Sequence, residues 1–254
     1  MNSIESNEEN YPQSGTTHEN ANIAYTQTRI EVANDQLLKQ NRLISILQPG
    51  IWLESYRMLR TRCLQAFDAN NWQTLAITST SSNTGNSLTA ANLAICIAME
   101  LNRTALLVDA NFKNPAINTL FGFKAEAGLS DYLLHDTEIS SLMINPGIPR
   151  LVILPAGKPM VNSTEMLHSP KMLKLVSELK NRYPSRIIIF DMPPILSQDD
   201  ALAFSPYVDS VLLVVDEGNT KTEDLKRVMA LLKDVQVLGT VFNKSTDKKI
   251  KYNI

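Results

Sequence analysis

Six short, nearly unbroken apolar runs constrain this chain more than any other feature: Leu75-Ala76-Ile77, Leu106-Leu107-Val108, Leu151 to Leu154, Ile187 to Phe190, Val211 to Val215 and Val237 to Phe242. A strand with one wet face alternates polar and apolar residues, whereas a strand covered on both faces reads as a continuous apolar run. Between most of these runs lie helical stretches, including Ser87 to Leu101, Thr164 to Arg182 and Lys221 to Lys233. They are long enough for right-handed crossovers between parallel strands. The expected fold is therefore α/β, a doubly wound, mostly parallel sheet with helices on both faces. A chain of 254 residues that is 44% hydrophobic can fill the core of one such domain.

Residues 1–22 are rich in Asn, Glu, Ser and Thr and nearly free of large aliphatics. Such a composition does not offset the entropy of ordering, so a disordered polar tail is expected there. Residues 23–50 read as an extended segment and a short helix that Asn34 or Asp35 can cap, ending before Gln48-Pro49-Gly50. The main domain is expected over 51–245, with 246–254 as a C-terminal stub. It opens on a helix whose Trp52, Tyr56, Leu59, Cys63 and Phe67 recur at spacings of four and three, one apolar stripe. Cys63 and Cys96 fall in helical apolar patterns far from any CxxC or His pattern, so buried thiols in a reducing compartment are expected rather than a metal site. The start of the chain lacks a signal-peptide pattern and no run approaches a membrane span, which predicts a cytoplasmic protein. A net charge of −2 gives no global attraction to nucleic acid or an anionic membrane.

In a doubly wound sheet, ligands bind beyond the carboxyl ends of the strands, and the loops after the first, second and fourth runs carry the unusual residues. The first is Thr80-Ser81-Ser82-Asn83-Thr84-Gly85-Asn86-Ser87, leading into a helix that opens at Leu88. Against the P-loop pattern G-x-x-x-x-G-K-[ST] it matches at Gly85 and Ser87 and departs at Thr80 and Asn86. Strand before and helix after are as the pattern demands. Converging N–H groups at a helix N-terminus attract anions whatever the side chains, and Ser87 can offer a hydroxyl to Mg²⁺. The candidate nucleotide-binding residues are Ser82, Asn83, Thr84, Gly85, Asn86, Ser87 and Leu88. The lysine is missing. Its charged hydrogen bond is worth about 1.5–3 kcal/mol, so a neutral amide should weaken ATP binding roughly tenfold to a hundredfold. It should also slow phosphoryl transfer by about 10²–10³. The bland alternative is a capped polar turn without a ligand.

The second run ends at Asp109, where a carboxylate can orient Mg²⁺ or its waters, although a strand-end Asp is more often a helix cap. The fourth ends in Phe190-Asp191-Met192-Pro193-Pro194, the Walker B arrangement of an apolar strand closed by a carboxylate. Asp109 and Asp191 are the candidate catalytic residues and, with Ser87, the candidate metal ligands.

Several segments resemble the cytoplasmic bacterial tyrosine autokinases of capsule and exopolysaccharide synthesis, relatives of the partitioning ATPases. They are Ile77-Thr78-Ser79, Ala90-Ala91-Asn92-Leu93-Ala94, Leu106-Leu107-Val108-Asp109, Gly128-Leu129-Ser130-Asp131-Tyr132-Leu133, Leu154-Pro155-Ala156-Gly157, Phe190 to Pro194 and Val237 to Lys244. The resemblance implies a P-loop NTPase fold with a deviant Walker A motif at Gly85 and Ser87, Walker A′ at Asp109 and Walker B at Asp191. ATP and Mg²⁺ are the implied cofactors, and Asn243 is placed near the adenine base. Glu54, Arg57 and Arg60 fit the family's Glu-x-x-Arg-x-x-Arg helix, which implies ring-like self-association; by spacing alone they are an intrahelical charged set. A transmembrane chain-length-determinant-type adaptor is implied as partner, recruiting the chain to the inner face of the plasma membrane, and a catalytic paralogue is the alternative to self-association. Asn243-Lys244-Ser245-Thr246-Asp247 misses the guanine pattern because the acidic residue comes one position late. The departures are Asn86 for the lysine, Asn111 for a second acidic residue, Lys113 for an arginine, and Tyr252 as the one tyrosine after Tyr207. They predict an impaired kinase acting as scaffold or regulator, with Tyr252 as a candidate phosphosite. The alternative is an active autokinase with an unorthodox loop; a partitioning-type ATPase is a further, weaker alternative.

Overall fold

The computed structural model describes residues 28–45 and 52–245. The expected tail, Gln48 to Gly50, the stub and Tyr252 lie outside the described residues. The strands are β1 (Arg29–Ile30), β2 (Thr74–Ser79), β3 (Thr104–Asp109), β4 (Ile144–Asn145), β5 (Leu151–Leu154), β6 (Arg186–Asp191), β7 (Ser210–Asp216) and β8 (Val237–Asn243). The helices are α1 (Asp35–Gln40), α2 (Leu53–Asn70), α3 (Asn86–Ala98), α4 (Ile117–Phe121), α5 (Leu129–Leu134), α6 (Ile139–Leu142), α7 (Ser163–Leu167), α8 (Pro170–Arg182), α9 (Asp200–Phe204) and α10 (Thr222–Leu231). Spatial strand order is β1-β4-β5-β3-β6-β2-β7-β8, and every neighbouring pair is parallel except β4 with β5.

All six apolar runs are strands; five owe their composition to burial on both faces, whereas the sixth, β8, is the edge strand and is only partly covered, with Phe242 exposed, so the expectation of two covered faces is corrected there. Alternate residues of one strand serve opposite layers. Ile188 and Phe190 of β6 pack with α8, α9 and the Leu129–Leu133 helix, while Ile187 and Ile189 pack with α3 and with Cys63 and Phe67 of α2. β7 divides likewise, Val211, Leu213 and Val215 to one side and Leu212 and Val214 to the other. Residues before the main domain join the second layer through Leu38, Leu43 and Ile44. Asn34 caps α1, accepting from the Gln36 amide at 2.8 Å. Both cysteines are buried free thiols, and burial pushes Cys63 up to about 12 and Cys96 to about 11.

Two local expectations are corrected. Thr164 to Arg182 is two helices, because Pro170 has no N–H to continue α7 and the Ser169 hydroxyl accepts from the Met172 amide at 3.2 Å, starting α8 afresh. In the α2 stripe Trp52 is exposed and Leu53 takes the buried position. Trp52 turns instead toward the cleft described below.

Two of the segments that carry the family resemblance clasp each other. The amides of Leu129 and Ser130 donate to the carbonyls of Pro155 and Ala156 at 2.8 and 2.9 Å, and the Lys158 amide returns a bond to Ser130 Oγ at 2.8 Å. Gly128 is required because a Cβ there would stand 2.2 Å from the Pro155 carbonyl oxygen.

Candidate functional site

The order β3-β6-β2 sets the carboxyl ends of three adjacent strands side by side, so the three unusual loops converge. Asp109 and Asp191 are register partners across β3 and β6. The loop after β2 is tied to the segment after β6 through Thr78 Oγ1 donating to the Pro193 carbonyl at 2.6 Å and the Ile195 amide donating to the Ser79 carbonyl at 2.9 Å. A cleft of about 1260 Å³ opens over this edge. Its walls include Ser82, Asn83, Gly85, Asn86, Ser87 and Leu88 from the loop, Asn111 from the loop after β3, and Asn243 and Lys244 from the end of β8. The volume is ample for a nucleotide.

Asn86 opens α3 with its side chain buried and directed at the neighbouring strand. Its Nδ2 donates to Oδ1 of Asp191 at 3.1 Å and to the Met192 carbonyl at 2.7 Å. Both amide hydrogens are thus spent on the end of β6. Gly85 precedes it at φ +99, a left-handed conformation that calls for glycine, and a Cβ there would lie 2.3 Å from Asn243 Nδ2 and push that side chain aside. Thr84 is fully buried and closes the turn through a 2.7 Å bond from its hydroxyl to the Ser81 carbonyl. The backbone N–H groups of Thr84 through Leu88 find no acceptor among the described residues.

The two carboxylates differ in how they are held. Asp109 accepts three backbone amides: Asn111 at 3.1 Å on Oδ1, and Ala116 and Ile117 at 3.0 Å each on Oδ2. It caps the start of α4, as a strand-end Asp commonly does. Burial pushes its pKa up to about 6 against those three amides. Asp191 is pushed well above the ordinary carboxylate range, first by burial and then by the charge of Asp109, with Ser87 and Asn86 opposing. Its Oδ2 is buried without a hydrogen-bond partner. An orphaned carboxylate oxygen next to a second carboxylate and a serine hydroxyl is a donor set suited to a hard cation such as Mg²⁺.

Other expected residues are placed as follows. Asn243 does not stand free over the cleft; its Nδ2 donates to the Thr84 carbonyl at 2.8 Å. Asn111 Oδ1 accepts from the Asn114 amide at 3.3 Å. Lys113, the lysine nearest by motif to the missing one, has its ammonium 3.1 Å from Oδ2 of buried Asp200. Arg57 pairs with Glu54 within α2 at 2.8 Å, both exposed, while Arg60 bridges to Glu100 at 2.8 Å and to the Cys96 carbonyl at 3.3 Å. Glu54, Arg57 and Arg60 therefore lie apart from the carboxylate pair. Asn92 was visible only as part of a motif; it accepts from the Ile44 amide at 2.8 Å and donates to the Arg42 carbonyl at 3.1 Å, fixing the segment after α1 beside the cleft. Lys244 carries no site signal in the sequence, because its contact with the loop spans 161 positions.

The chain matches the family described as an AAA domain over residues 72–246. The tyrosine-protein kinase YwqD of Bacillus subtilis (strain 168) is 31% identical over 218 residues, covering 84% of this chain and 90% of that protein. The tyrosine-protein kinase CpsD of Streptococcus agalactiae serotype Ia is 26% identical over 228 residues, covering 89% and 92%. The crystal structure of the chimerical protein CapA2B2 superposes with a TM-score of 0.74 at 26% identity, covering 86% of this chain and 94% of that one.

Proposed function

Since this chain belongs to the bacterial tyrosine autokinase family, we propose that it is a member with impaired phosphoryl transfer, acting as a scaffold or regulator in exopolysaccharide or capsule assembly. One observation carries the reading. Where the P-loop pattern has a lysine there is the amide of Asn86, and it is committed to Asp191 and the Met192 carbonyl. A lysine ammonium neutralises the β and γ phosphates and stabilises the charge that moves during transfer. A neutral amide gives neither effect, and Lys113 is held by Asp200.

The rest of the site fits a magnesium nucleotide. Mg²⁺, when bound, offsets phosphate charge; Ser87 and Asp191 would hold it, with Asp109 orienting its waters. The unpaired amides of Thr84 to Leu88 would receive the phosphates, and Asn243 borders the place for the base. This is the basis for weak ATP binding with little turnover. The exposed Glu54–Arg57 pair on α2 is offered for self-association into a ring, with itself or a catalytic paralogue. Among the described residues no helix is long and apolar enough to cross a membrane. A transmembrane chain-length-determinant-type adaptor recruiting the chain from the cytoplasm to the inner face of the plasma membrane completes the proposal, and no nucleic acid is involved.

The second reading is an active autokinase, favoured by the orphaned Oδ2 of Asp191 beside Ser87. Phosphotyrosine mapping after incubation of the full chain with Mg-ATP separates the two. The expected result is no modification of Tyr252 or any other tyrosine; stoichiometric labelling would establish the active kinase instead.

A further inference from the structure

The loop after β2 is held from outside by a polar cluster at the ends of β7 and β8. Asn243 Nδ2 donates to the Thr84 carbonyl at 2.8 Å, and the adjacent Lys244 ammonium donates to the Asn83 carbonyl. Lys244 is anchored in turn, 3.2 Å from Oδ2 of Asp216, a carboxylate only 2% exposed. Asp216 also accepts from Asn219 Nδ2 at 2.9 Å and Thr220 Oγ1 at 3.0 Å, and the Thr220 hydroxyl lies 3.2 Å from that of Thr80. Both ends of the segment 80–84 are therefore strapped to one cluster.

A trans peptide is planar, so its C=O and N–H point in opposite directions. Drawing the Asn83 and Thr84 carbonyls toward β8 turns the N–H groups of Thr84 and Gly85 the other way. Those N–H groups have no acceptor among the described residues. The left-handed φ values at Asn83 (+61) and Gly85 (+99) that this geometry requires are present. Neighbouring amides presented on one side of a turn of this kind form an anion-binding concavity.

We propose that Lys244 is a positioning residue for phosphate binding: by fixing the Asn83 carbonyl against Asp216 it presents the Thr84 and Gly85 amides to an anion, in a loop that lacks its own lysine. The inference rests on the reading of this loop as a phosphate site and deepens it. The cation missing inside the loop is offset by one outside it, which acts through the backbone and not by touching the ligand. The gain is preorganisation, which lowers the ordering cost of binding without adding charge at the phosphates.

The test compares the full-length wild type with Lys244→Met and Lys244→Arg, and with Asp216→Asn, which frees the same lysine from its other end. Hydrogen exchange of the ligand-free proteins should be at least about tenfold faster across 80–88 in Lys244→Met and Asp216→Asn, and close to wild type in Lys244→Arg. Titration with Mg-ADP, followed by the Thr84 and Gly85 amide resonances, should be weaker by at least about fivefold in the first two variants and restored by arginine. If wild type binds Mg-ADP while exchange or affinity is unchanged in Lys244→Met, the strap is overturned and the phosphate site stands. Absence of any Mg-ADP response in the wild type removes the phosphate site and this inference together.

Discussion

At the scale of single residues, the buried pair Asp109 and Asp191 makes a pH-dependent contribution to the stability of the free protein. Burial raises both, Asp109 to about 6, and their mutual repulsion raises Asp191 further. An unfolded aspartate titrates near about 3.9, so the folded state holds these protons more tightly. Their contribution to stability is therefore full below about pH 4 and is lost as pH rises through the folded values. Asp191→Asn should raise the melting temperature of the free protein at pH 8 by about 2–6 °C and leave it nearly unchanged at pH 4, as read by calorimetry. The loss of the lysine at position 86 was legible from motif position alone. That the Asn86 amide spends its hydrogens on Asp191 and Met192 was not, because it depends on how β2 and β6 are registered. The role of Lys244 is illegible in the sequence for the same reason: its partners, Asn83 and Asp216, are distant along the chain, and the failed guanine pattern carries no signal for a backbone strap.

At the scale of elements, runs such as Ile187 to Phe190 announced themselves because both faces of the strand are covered. The two-residue strands β1 and β4 carry no periodicity, and only pairing with neighbours defines them. The break between α7 and α8 was written in Ser169-Pro170, yet the surrounding helical spacing masked it. Ser169→Ala should cost about 1 kcal/mol in chemical denaturation, since the Met172 amide loses its acceptor. The clasp at Gly128 is tighter. Gly128→Ala sets a methyl against the Pro155 carbonyl, the Gly157 amide and the Ala156 carbonyl carbon, all backbone. It should destabilise by about 1–3 kcal/mol in the same measurement, although Gly128 has an ordinary extended φ of −172.

At the scale of the whole molecule, the doubly wound sheet followed from alternating apolar runs and helical stretches, and with it the edge where three loops meet. What composition did not disclose is how the layers are tied across the sheet. Asp209, just before β7, accepts the amides of Gln73 and Thr74 at 2.8 and 2.9 Å, the Thr74 hydroxyl at 2.8 Å and the Lys180 ammonium at 2.6 Å, joining α8, β2 and β7. Burial pushes its pKa up, but Lys180 and the three other donors outweigh this and hold it below the usual range. Its contribution is thus present above about pH 4 and lost as pH falls through the folded value. Because the pair is only partly buried, Asp209→Ala should lower the unfolding free energy by about 1–3 kcal/mol near neutral pH and by less in acid.

The account as a whole stands on the neutral side chain at position 86, and isothermal titration of Mg-ATP into wild type and Asn86→Lys, with turnover measured on the same samples, tests it most directly. The variant is expected to bind about tenfold to a hundredfold more tightly, because an ammonium then faces both the phosphates and the paired carboxylates. Micromolar binding with rapid turnover by the wild type, unimproved by the added lysine, would contradict it.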